Sequence, residues 1–106
     1  MHRDRYIEVL ELLADHEAQA EYERNVPIAD VPAELLSMWF DDLSLSRHCL
    51  SDEDASIIRL FTDFYQARAA KLPTLGGVAA LHRCREWHEI AEEAAKTLHE
   101  LRSRSI

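Results

Sequence analysis

The chain has 106 residues, a length typical of one domain and too short for two. It contains 12 basic and 20 acidic residues, which gives a net charge of −8 at neutral pH. This charge argues against direct binding to nucleic acid or to an anionic membrane surface, since both require a basic face. With only two glycines and three prolines, the chain has little of the turn chemistry that an all-β fold needs.

Apolar residues recur every three or four positions along most of the chain, which predicts an all-α fold. We expect a compact bundle of about four helices, three long and one short, in a single domain that covers residues 1–106. The first long helix is predicted over about 4–24, with one apolar and one acidic side. A proline-bounded connector over 25–32 follows, and the short helix is predicted over about 32–43, with Asp30 as its N-cap.

The second half of the chain predicts two more long helices. Ser51 and the acid three residues later resemble a capping box, so the third helix is expected from there to about residue 72. A break at 73–77 contains both glycines, and the longest helix is predicted over about 78–102. The Gly76-Gly77 pair favours a turn between helices; the alternative is an anion site at the start of the last helix.

The negative charge is concentrated in the first half of the chain. Residues 1–54 hold 14 acidic and 4 basic groups, a net charge of −10, whereas residues 55–106 carry a net charge of +2. A block of like charges is typical of a solvated face, and it is also typical of a surface that attracts a basic partner. The working surface is therefore expected in the first half.

Six histidines invite a metal hypothesis, which the spacing disfavours. On one continuous helix, His82 and His88 would point to different sides, so their carboxylate neighbours could not complete a common site. Asp15, His16 and Glu17 fan around the first helix and cannot converge on one substrate atom. No nucleotide-binding, hydrolase or zinc-protease motif occurs. We therefore predict no metal, no cofactor and no enzymatic activity.

The N-terminal residues form no secretory signal, and no apolar stretch is long enough to cross a membrane. Cys49 and Cys84 do not form a Cys-x-x-Cys motif, and we expect them to be reduced packing residues. These features predict a cytoplasmic protein.

Asp41 and Asp42 end the short helix, where negative charge opposes the helix dipole. Trp39 and Phe40 precede them, about 100° apart on the helix, so both can be buried only if the helix is deeply embedded. If Trp39 lies at the rim instead, an aromatic residue flanked by acids has the composition of an interface hot spot for a basic protein.

Size, charge and the lack of catalytic motifs predict a small acidic protein that neutralises a basic partner protein, such as a toxin or nuclease. In these general properties the chain resembles bacterial immunity proteins and toxin-neutralising antidotes. The predicted contact residues are the acids of the first half together with Trp39, namely Glu8, Glu11, Asp15, Glu21, Glu23, Asp30, Glu34, Trp39, Asp41 and Asp42. The alternative is a self-associating helical module, for instance a homodimer, formed through the small residues Ala91, Ala94 and Ala95.

Overall fold

The computed structural model describes residues 2–26, 30–43, 50–73 and 75–103. Within these ranges the chain is all-helical, as predicted, and contains no strand. The prediction of about four helices is wrong, because the first and last predicted helices are each divided in two. The described elements are six α-helices and one π-helical turn: α1 (His2–Ala14), α2 (His16–Asn25), α3 (Val31–Ser37), the π turn (Met38–Leu43), α4 (Asp52–Ala69), α5 (Gly77–His82) and α6 (Arg85–Ser103).

The first break lies at Asp15, which separates α1 from α2. Asp15 has an extended backbone, with φ −119° and ψ 105°, and its carboxylate accepts the N–H groups of Glu17 and Ala18 at 3.0 and 3.2 Å. An aspartate in this position is a favourable N-cap, because it pairs backbone donors that the first helical turn leaves free. A new helix therefore starts at His16 instead of continuing α1.

The second break lies at Arg83 and Cys84, between α5 and α6. The N–H of Cys84 donates to the carbonyl of Leu81 at 2.9 Å, and the carbonyl of Cys84 accepts from His88 at 3.2 Å, so one helix ends where the next begins. The two segments cover different neighbours: α5 packs against α2 and α3, whereas α6 packs against α1 and α4.

The predicted starts of α3 and α4 are confirmed. The carboxylate of Asp30 accepts the N–H of Ala33 at 3.4 Å, and Pro32 occupies the first turn of α3. The hydroxyl of Ser51 accepts the N–H of Asp54 at 3.1 Å. Both caps are local interactions that satisfy orphan backbone donors, which explains why the local sequence predicts them.

The centre of the fold is a cluster of aromatic side chains, which we call the aromatic core. The ring of Trp39 meets Tyr6 and Phe61 edge-on, with centroids 5.6 and 4.9 Å apart. Such edge-to-face pairs add to the free energy of burial. The aromatic core brings α1, the π turn, α4 and α6 together, and its members are Tyr6, Trp39, Phe40, Phe61, Tyr65 and Trp87.

Candidate functional site

Two of the predicted contact acids on α1 already have basic partners within the chain. The carboxylate of Glu8 lies 3.4 Å from the guanidinium of Arg5, and that of Glu11 lies 3.1 Å from Arg102 at the end of α6. All four side chains are exposed, so these ion pairs are weak and exchange readily with water. A cationic partner would have to compete with Arg5 and Arg102 for these positions.

Glu23 has a structural contact that the sequence does not reveal. Its Oε2 atom accepts the N–H of Val78 at 2.9 Å, in the first turn of α5. A Cβ atom added at Gly77 would lie 2.6 Å from the same oxygen, and Gly77 has a φ of +63°. Gly76-Gly77 therefore forms the predicted turn between helices, and the start of α5 receives its anion from α2 of the same chain.

Four more predicted acids interact locally. Asp15 and Asp30 cap α2 and α3, as described above, and both are exposed. Glu34 accepts the hydroxyl of Tyr22 at 2.8 Å, and this bond raises the pKa of the tyrosine. Asp41 is exposed and accepts the hydroxyl of Ser37 at 3.1 Å, whereas the side chain of Asp42 lies outside the described residues.

Trp39 is not at the rim. Its side chain is 2% exposed, and its indole N–H donates to the hydroxyl of Thr62 on α4 at 2.9 Å. Phe40 is also packed against the aromatic core, with its ring centroid 5.0 Å from that of Tyr65. The expectation that Trp39 anchors a partner is therefore corrected: the π turn is embedded deeply enough to hold both rings inside.

The solvent side of α2 carries Glu17 and Glu21, one helical turn apart and both exposed. Among the described residues, neither carboxylate has an ion pair or a side-chain hydrogen bond. The sequence interpretation placed Glu17 on the apolar side, because it treated α1 and α2 as one helix. The break at Asp15 resets the helical phase and turns Glu17 outwards.

On its other side, α2 contributes to a group of three imidazole rings that we call the histidine cluster: His16, His82 and His88. The rings of His16 and His82 are stacked with centroids 4.4 Å apart, and His88 meets His16 edge-on at 5.0 Å. The Nε2 atom of His88 lies 2.6 Å from the carbonyl of His82. The expectation that His82 and His88 point apart is wrong, because the break at Arg83 and Cys84 folds them together.

The buried amide of Gln19 lies beside the histidine cluster and connects both helix breaks. Its NH₂ group donates to the carbonyls of Leu12 and Leu13, at the end of α1, at 2.9 and 3.0 Å. Its carbonyl oxygen accepts from the indole of Trp87 at 3.0 Å and contacts Nε2 of His82 at 2.9 Å. Gln19 is 0% exposed, and these four contacts use its full hydrogen-bonding capacity. The only sequence signal was an amide on an otherwise apolar helix side.

These contacts fix the ring protons. Since the side-chain oxygen of Gln19 can only accept, Nε2 of His82 must carry a hydrogen; the same holds for Nε2 of His88 against the carbonyl of His82. Burial lowers the pKa of His16 and of His82 below 6.5, and the neighbouring imidazoles lower it further. Asp15 and Glu23 oppose this shift for His16 and His82, respectively.

Within the described ranges, no group of three or more histidine, cysteine, aspartate or glutamate side chains has a geometry that could hold a metal ion. Cys84 is a half-buried free thiol, and Cys49 lies outside those ranges. None of the helices seen there is both long and apolar enough to cross a membrane.

Comparisons with protein-family models, with curated proteins and with solved structures find no match to the chain.

Proposed function

We propose that the chain is a non-enzymatic binding protein that neutralises a basic partner protein, in the manner of an immunity protein or antitoxin. The observation that carries this proposal is the pair Glu17 and Glu21 on α2. These two carboxylates are exposed, lie one turn apart, and have no cationic partner among the described residues. Together with the exposed acids of the neighbouring helices, they offer negative charge that is not neutralised within the chain.

The placement of Glu17 and Glu21 is unfavourable for α2 itself. Like charges at positions i and i+4 repel and destabilise a helix by a few tenths of a kcal/mol. Charges that cost stability locally are typical of a functional surface. A cationic side chain placed between the two carboxylates would convert this repulsion into attraction, which favours a lysine- or arginine-rich partner over a neutral one.

The neighbouring helices extend the acidic surface. α2 contacts α1 and α3 directly, and these elements present exposed carboxylates at Glu8, Glu11 and Asp30. We define the acidic surface as Glu8, Glu11, Asp15, Glu17, Glu21, Asp30 and Asp41, and leave out the buried Trp39. Clustered charge of one sign accelerates encounter with an oppositely charged protein, an effect that salt screens.

The alternative of self-association through the alanines of α6 receives no support from their placement. Ala91 is 7% exposed and Ala94 is 0% exposed, because both pack within the monomer. Ala95 is exposed, but a single alanine does not form a close helix–helix contact surface.

The proposal is tested by immobilising the chain, applying lysate of the cells that express it naturally at about 20 mM salt, and eluting with a salt step. We expect a basic protein to be retained, identified by mass spectrometry and purified. Failure to recover any basic protein at low salt would refute the proposal. A dimer measured by light scattering without added partner would instead favour self-association.

The purified partner then allows a matched comparison of variants. The double variant Glu17→Gln/Glu21→Gln should lower the association rate by about three- to tenfold at low salt, with a smaller effect on dissociation. The control Asp63→Asn/Glu100→Gln removes the same charge from exposed positions on α4 and α6, and should change the rate less than about twofold. Equal effects of the two pairs would mean that net charge, and not the acidic surface, drives binding.

A further inference from the structure

The histidine cluster lies where the two helix breaks face each other, and it is the one group of stacked titratable rings among the described residues. We propose that it is a pH-sensitive joint: protonation of His16 and His82 under mildly acidic conditions loosens α2 from the α5–α6 break, while the aromatic core stays folded. Such a joint would act in the free protein, whether or not a basic partner binds.

The first support is the geometry of the rings. His16 lies against both other histidines, with centroids 4.4 Å from His82 and 5.0 Å from His88. Neutral imidazoles tolerate this spacing. Two imidazolium ions in the same positions repel each other, and partial burial weakens the screening by water. Protonation therefore acts directly on the contact between α2 and the α5–α6 break.

The second support is the pattern of hydrogen bonds. His82 and His88 already donate their Nε2 hydrogens, to Gln19 and to the carbonyl of His82, respectively. An additional proton on either ring must bind at Nδ1, so it creates no new bond with these partners. Acidification thus adds positive charge to the joint without adding a compensating hydrogen bond there.

The charged groups around the joint limit the effect but do not reverse it. Asp15, at the α1–α2 break, favours protonated His16, and Glu23 on α2 favours protonated His82. Glu92 on α6 lines the same open cleft as His16 and His88. α1 contributes the neutral carbonyls of Leu12 and Leu13 through Gln19. Arg83, at the break itself, is exposed and adds positive charge.

The direction of the pH dependence follows from these groups. The pKa values of His16 and His82 are lower in the folded chain than the ordinary 6.5 that applies when it is unfolded. Near pH 6 the open state therefore binds more protons than the closed state. The stability of the joint is fully present above about pH 6.5 and is lost as the pH falls towards the folded-state pKa values. Most carboxylates titrate below this window.

The first test follows the histidine Hε1 resonances by NMR from about pH 8 to pH 5, in the folded chain and in urea. We expect the midpoints of His16 and His82 to lie below their values in urea. Midpoints at or above the urea values would overturn the proposal, because acid would then favour the closed joint.

The second test locates the opening by amide hydrogen exchange, corrected for the intrinsic pH dependence, at about pH 7.5 and 5.5. Protection should fall several-fold in α2 and at the His88 amide, which donates across the α5–α6 break. Amides in the middle of α4 should keep their protection. No change in α2, or an equal loss in all helices, would overturn the proposal.

A variant assigns the effect to the cluster. His16→Asn removes one titrating ring, and it should reduce the fall in the urea midpoint between about pH 7.5 and 5.5. The matched control His99→Asn, at an exposed position of α6, should show the same fall as the unmodified chain. An unchanged fall in His16→Asn would count against the joint. If this variant does not fold, the NMR and exchange tests on the unmodified chain still decide.

Discussion

The aromatic core and the Gln19–histidine joint are stabilised in different ways. In the aromatic core, Trp39 and its neighbours bury large apolar area in edge-to-face contacts, and burial scales with area and tolerates small changes of shape. In the joint, Gln19 makes four polar contacts inside a buried site, and each depends on geometry. A fully satisfied polar network stabilises a unique arrangement, whereas a partly satisfied one is costly. The joint is therefore the more fragile of the two regions.

The largest effect should come from Gln19→Leu. This change keeps the side-chain volume but leaves the carbonyls of Leu12 and Leu13 and the indole N–H of Trp87 without their partner. Each buried unpaired group costs about 1–3 kcal/mol, so we expect a loss of about 3–5 kcal/mol in the free energy of unfolding, measured in urea. Gln66→Leu, exposed on α4, should change it by less than about 0.5 kcal/mol. A loss below about 1 kcal/mol for Gln19→Leu would mean that the joint is as tolerant as the aromatic core.

Gly77→Ala should have an intermediate effect. A methyl group here would lie 2.6 Å from Oε2 of Glu23, and the φ of +63° is strained for alanine. We expect a loss of about 2 kcal/mol in thermal or urea unfolding. Glu23→Ala should lose about 1 kcal/mol, because only the cap at Val78 is removed. If Gly77→Ala cost no more than Glu23→Ala, backbone strain at the turn would be excluded.

The smallest effect should come from Tyr65→Phe in the aromatic core. The hydroxyl of Tyr65 is buried and has no hydrogen-bond partner in the described part of the chain, and burial raises its pKa. Removing it should leave the stability unchanged or raise it by up to about 1 kcal/mol. Tyr22→Phe is the control, since its hydroxyl donates to Glu34 and its removal should cost about 1 kcal/mol. A clear loss for Tyr65→Phe would show that this hydroxyl is satisfied in solution.

The sequence predicts what depends on local spacing. The helical class, the caps of α3 and α4 and the burial of most apolar positions follow from short-range periodicity and capping chemistry. The break at Asp15 had a local signal, an N-capping residue within the predicted helix, but uninterrupted apolar spacing favoured one continuous helix. The break at Arg83 and Cys84 has no glycine or proline to mark it, and arises because α5 and α6 pack on different neighbours.

The candidate sites were predicted less well, for the same reason. The concentration of acid in the first half is visible in the sequence, but the partners that occupy Glu11 and Glu23 come from residues far along the chain. The histidine cluster requires both helix breaks, so a single-helix interpretation separates His82 from His88. Trp39 was assigned to a surface because a π turn that buries two adjacent rings is not encoded in a simple periodic pattern.

The contacts of α2 also bear on the order in which the chain folds. α2 has ten residues, and an isolated helix of that length is marginal in water. Its two strongest anchors reach far along the chain: Glu23 to Val78, 55 residues away, and Gln19 to Trp87, 68 residues away. α2 should therefore become helical late, after α5 and α6 have docked. Substitutions in α2 should accelerate unfolding more than they slow folding, which makes this helix a determinant of the lifetime of the native state.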